Sequence, residues 1–182
     1  MNIFHAKFST SQITEATGVN NDTLQNWLKR QLIIGQKDIV GGGSQGRHRQ
    51  YSFFNLIEIA AAKALVDAGM GDLKSAFKAA NMFAHTGGGP LGGTPERVPG
   101  CPFNKCPGIT LLVAGPGWSD EVFMAPNDSA LKLYTDLVFK APAGREGCIF
   151  VNMSDVFDRV VVRVGYRPVE VLGIAYPKGA TA

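Results

Sequence analysis

Histidine and cysteine are scarce in this chain of 182 residues, three of each. Cys101, Cys106, Cys148, His5, His48 and His85 are scattered, whereas a closed zinc site needs four ligands brought together. The C-x4-C pair of CPFNKC supplies two at most and reads as small residues in a Pro/Gly-rich loop, so no metal and no cofactor is expected. Long apolar runs are missing too. Glu58, Lys63 and Asp67 interrupt the richest one, which falls short of the ~18 unbroken apolar residues that mark a membrane span. The opening MNIFHAKFSTSQ lacks the basic-then-apolar layout of a signal peptide. A cytoplasmic protein is the expectation, and there a structural disulfide is disfavoured.

Charge is modest as well, at 18% of residues and a net +3, against 45% hydrophobic residues. That balance describes a foldable globular chain. The excess is unevenly placed. Residues 1–86 carry nine Lys/Arg against six Asp/Glu, and residues 87–182 nine against nine. By Tyr51 the N-terminal excess is complete, six basic residues against three acidic. Such a local surplus permits nucleic-acid binding without requiring it.

Two regions separate along the chain. From Phe8 to about His85 the apolar residues follow the helical period. Ser9 or Thr10 caps a short helix that stops at Gly18, and Asn20 or Asn21 caps a second with Leu24, Trp27 and Leu28 on one face. Two helices across a tight turn form a helix-turn-helix pattern. LIIG and HRQY flank a Gly-rich tip (35–46) and read as a β-hairpin wing. Ser52 caps a third helix presenting Leu56, Ile59, Ala60, Lys63 and Ala64, and a fourth runs from Asp72 to about Phe83. Thr86–Gly108 is too rich in Gly and Pro to hold a regular element. Beyond it ITLLVA and EVFMA read as a hairpin with a long loop, and GCIFV as a further strand. SALKLYTDLVFK fits helix or strand. Ser154 is the expected cap of a helix from Asp155, and VEVLGIAY reads as a final strand. The expected fold class is α+β: residues 1–85 a winged helix-turn-helix, 86–108 a connector, and 109–182 a small α+β dimerisation or effector domain.

The ordered spacing over residues 8–83 resembles the winged helix-turn-helix of the MerR family of bacterial regulators. Phe8, Thr17-Gly18-Val19, Thr23-Leu24, the wing's Arg49-Gln50-Tyr51, Asn55-Leu56, Ile59, Leu65 and Gly69-Met70 stand where that pattern places them. The family's recognition-helix Arg is Gln25 here, its first aromatic is Asn26, and its helix-ending Gly is Gln31. The family's long dimerisation helix is replaced by the Gly/Pro-rich segment.

The resemblance implies double-stranded DNA as partner. A recognition helix reads base edges with its N-terminal side chains, where amides suit adenine and hydroxyls serve several bases. Asn20, Asn21, Thr23, Gln25 and Asn26 offer four amides and a hydroxyl. Lys29 and Arg30 would sit against phosphate, although cations also suit a helix C-terminus for its dipole alone. Arg47, His48 and Arg49 would lie on the wing's returning strand, reaching phosphates or the minor groove, and Tyr51 would pack that strand or donate its hydroxyl to a phosphate. Trp27 reads as core. A charged strand edge that discourages pairing is the plainer account of the two arginines.

No catalytic constellation stands out, so a non-enzyme is expected: a transcriptional regulator acting as a homodimer, repressing rather than activating. A small-molecule effector is a further candidate partner. An architectural factor of phage or mobile elements, excisionase-like, is one alternative. A ligand-binding protein or enzyme whose activity lies in the C-terminal half is another.

Overall fold

The computed structural model describes residues 2–33, 49–88, 96–104, 107–138 and 147–177. The fold is α+β. After a 3-10 turn come β1 (Lys7–Ser9), α1 (Thr10–Thr17), α2 (Asn21–Lys29), β2 (Gln50–Ser52), α3 (Phe53–Asp67) and α4 (Leu73–His85). Then follow β3 (Ile109–Gly115), β4 (Trp118–Met124), α5 (Ala130–Val138), β5 (Ile149–Asn152), α6 (Met153–Arg163) and α7 (Pro168–Ala175). β1 and β2 pair antiparallel, and β4-β3-β5 form an antiparallel sheet with β3 central.

The helix starts follow from side chains that satisfy orphan backbone N–H groups. Ser9 and Ser52 each close a capping box, with Gln12 and Asn55 reaching back to the cap, and Asp72 accepts from Lys74 and Ser75. α6 is capped by Asn152, not by Ser154. The Ser154 hydroxyl instead accepts the Thr110 backbone N–H at 2.9 Å, tying α6 to β3.

α3 is the hub. A single apolar stripe was expected, but ten of its residues are buried, on every side of the helix, as for a helix enclosed by neighbours all round. Its Glu58 is fully buried and meets His85 Nε2 at 3.0 Å, a pairing that offsets the cost of removing a carboxylate from water. α1, α4, α6 and β5 all pack against it. Phe157 of α6 meets Phe53 of α3 edge-to-face at 6.5 Å. Arg163 at the end of α6 donates to the carbonyl of Ala16 in α1 at 3.1 Å. One buried cluster therefore runs from Ile3 to Val171 and includes both halves of the chain.

Several expectations are corrected in the second half. ITLLVA and EVFMA do form a hairpin, but Gly115 pairs with Trp118, so the loop is the two residues Pro116-Gly117. The ambiguous segment after Ser129 is the helix α5. Val169–Tyr176, expected as a strand, is helical from Pro168 to Ala175. Proline at the first helical position and Glu170 in the first turn favour that start. Buried Val171 and part-buried Leu172 and Ala175 share one helical face, which outweighs the β preference of the two valines.

The described part of the Gly/Pro-rich segment is organised around one side chain. Arg97 is 2% exposed and donates to the carbonyls of Phe83, Thr86, Val98 and Cys101. Two of these belong to the end of α4, whose last carbonyls have no partner within the helix. The guanidinium also lies 4.6 Å from the Phe83 ring centroid and 3.3 Å from Glu121 of β4. Burial raises the pKa of Glu121, and the charge of Arg97 opposes that rise. Tyr176 completes the arrangement, its hydroxyl accepting from Val98 N and donating to Pro102 O, both at 2.8 Å.

Candidate nucleic-acid interface

α1 ends where Gly18 takes a left-handed conformation, φ 74°, its N–H bonded to Thr14 O at 2.9 Å. Val19 is buried, and Asn20 restarts the chain by accepting the N–H of Thr23 at 2.7 Å. The three residues between the helices thus form a tight turn from α1 to α2. On its inner face α2 buries Leu24, Trp27 and Leu28. The Trp27 ring stands edge-to-face on Phe77 of α4, 5.0 Å between centroids, which makes it the core residue its spacing indicated.

The opposite face of α2 carries the candidate readers. Asn20, Asn21, Asn26, Lys29 and Arg30 are exposed, and Thr23 and Gln25 half-buried. Asp22 is the acid among them, placed in the first turn where the helix dipole favours it. Lys29 and Arg30 stand at the C-terminal end, where the dipole favours cations. The Asn20 carbonyl oxygen is committed to the cap, so that side chain positions the helix.

β2 brings a second element alongside. Its register sets Phe8 opposite Tyr51 and Ser9 opposite Gln50, so the strand leaves the start of α1 with Arg49 close by. Arg49 Nη1 donates to the Gln25 side-chain oxygen. Gln25 Nε2 donates in turn to Asn21 Oδ1 at 3.4 Å. A guanidinium from one segment and two amides from the recognition-helix candidate thereby form a short polar relay. Nothing in sequence marks this pairing, because 24 positions separate its ends.

Of the two roles expected for Tyr51, the packing one holds: the residue is fully buried. Burial raises its pKa, and Thr10 and the Arg49 charge work against that rise. Among the described residues β2 pairs with Lys7–Ser9, and Leu32 and Ile33 are not in a strand. Arg47, His48 and the rest of the tip lie outside the described residues. Among the described residues no group of three or more His, Cys, Asp or Glu side chains gathers as metal ligands would. No helix among them is long and apolar enough to cross a membrane. Compared with known proteins, the chain matches no family model and no curated protein.

Proposed function

We propose that the protein is a sequence-specific DNA-binding regulator of transcription, with α2 as its recognition helix and the segment leading into β2 as its wing. The observation that carries this reading is the exposed amide face of α2 linked to Arg49 through Gln25. Amides and hydroxyls at a helix N-terminal half are the side chains that read base edges, and a neighbouring guanidinium supplies the backbone contact. The resemblance to MerR-family regulators over residues 8–83 supports the same assignment. In the free protein Gln25 is engaged on both sides, so Asn21 and Asn26 are the side chains best placed for first contact with bases. We read the chain as a homodimer on an inverted repeat, since paired half-sites match a two-fold protein, and as a repressor.

Genome-wide binding by the full chain, followed by affinity measurements on the enriched sequence, tests the reading. Asn21→Ala and Asn26→Ala should each weaken binding to that sequence by roughly 1–3 kcal/mol and change binding to random DNA little. Replacing Arg47 and Arg49 together should weaken binding to all DNA and flatten the salt dependence by about 0.9 per lost phosphate contact. Absence of enriched sites, or variants that bind as the parent does, would reject the assignment.

A further inference from the structure

We propose that the cleft between the α3–α4 turn and the end of the sheet binds a small, uncharged, apolar molecule that carries one hydrogen-bond donor, an arylamine being the simplest case. The site stands independently of the DNA-binding reading.

The cleft has a volume of about 630 Å³, inside the range of roughly 300–1,000 Å³ that small-molecule sites occupy. Met70 from the first half of the chain, and Ala114, Pro116 and Ile149 from the second, give it an apolar wall. Two glycines keep it open. Gly71 and Gly147 both line it, neither has a positive φ, and a Cβ added to either would meet nothing within 4 Å. Neither backbone conformation nor crowding requires glycine there, so what each contributes is empty volume. Gly115, on the same wall, is different: a Cβ there would fall 2.5 Å from Trp118 Nε1.

The polar groups decide the ligand's charge. Among the described residues no Lys or Arg lines the cleft, whereas the carboxylate of Asp72 does, so the lining offers an anion a like charge and no cation of its own. Asp72 Oδ2 accepts from the backbone and hydroxyl of Ser75, at 3.1 and 2.6 Å. Oδ1 accepts the Lys74 N–H at 3.1 Å, one bond where a carboxylate oxygen has two lone-pair directions. A donor on the ligand would take the second.

The test uses the full chain and N-phenyl-1-naphthylamine, a neutral apolar fluorophore with a single N–H. Saturable binding of one probe per chain is expected. Its anionic relative 1-anilinonaphthalene-8-sulfonate should bind at least about ten-fold more weakly, because the carboxylate opposes it. Gly71→Leu combined with Gly147→Leu should abolish the signal at an unchanged melting temperature. If the pair unfolds, Gly147→Leu alone should still weaken binding. Asp72→Asn, which retains a helix cap, should weaken the probe several-fold. Leu131→Ser, on the exposed apolar side of α5, should leave binding intact. Non-saturable fluorescence, equal affinity for the sulfonate, full binding by folded leucine variants, or loss of binding in Leu131→Ser would each overturn the proposal.

Discussion

Gln31 ends α2 with φ 55°, a left-handed conformation that costs an L-residue roughly 1–2 kcal/mol. Its N–H bonds Leu28 O, and the N–H of Leu32 bonds Trp27 O, at 3.0 and 3.1 Å. That is the hydrogen-bond pattern in which glycine normally closes a helix. Gln31→Gly should therefore stabilise the protein by about 0.5–1 kcal/mol, after glycine's greater freedom in the unfolded chain is deducted. A lowered urea midpoint would show that the glutamine side chain makes a contribution of its own. Arg97 is the opposite case. Arg97→Ala strips the carbonyls at the end of α4 of their donor and leaves Glu121 without its cation, and breaking a buried pair costs about 3–5 kcal/mol. A urea midpoint within error of the parent would refute that role. Cys101 is buried, and its thiol is pushed up to about 12 by that burial. It stays protonated at neutral pH, the inert state of a packing residue.

At the scale of elements, α6 bears on the proposed dimer. Its apolar Val156, Phe157 and Val160 could form a stripe against a second copy only if exposed, and all three are buried within their own chain. β3 is excluded as a pairing edge because both its sides are occupied, which leaves β4 and β5 as the sheet's outer strands. Phe157→Ala should consequently act as a core truncation, costing about 3–5 kcal/mol whatever the protein concentration. A loss of stability that vanishes on raising the concentration would return α6 to the interface. The element starts were largely legible beforehand: Ser9, Asn20, Ser52 and Asp72 are residue types whose side chains bond the next free N–H groups. The β1–β2 pairing was not, since a three-residue strand is too short to show alternation and its partner lies more than forty positions away.

For the whole molecule, the shared core alters what a shortened chain should do. Residues 1–85 were expected to form a unit of their own, yet α1 and α3 pack on α6, and α4 packs on β3 and β4. Truncation after His85 removes Phe157 from Phe53 and Arg163 from Ala16. The fragment should lack a cooperative thermal transition, measurable by circular dichroism against the full chain. A sharp transition near that of the parent would show that the first half folds alone. The same packing ties α6 directly to α1 through Arg163 and the carbonyl of Ala16.

Taken by itself, the amino-acid sequence determined the α+β class, the helices α1 and α2 with their caps, the polar outer face of α2 and the apolar inner one. These depend on residues within a turn or two of each other, where local hydrogen bonding and the helical period act. The tertiary structure alone decided which polar face meets which cation, as with Gln25 and Arg49. It also decided that Tyr51 and the apolar residues of α6 are interior, that Arg97 organises the described part of the Gly/Pro-rich segment, and that Pro168–Ala175 is a helix. Each of those depends on what packs against a residue from far along the chain. Long-range hydrogen bonding and the choice of packing partner leave no periodic trace in the residues that make them.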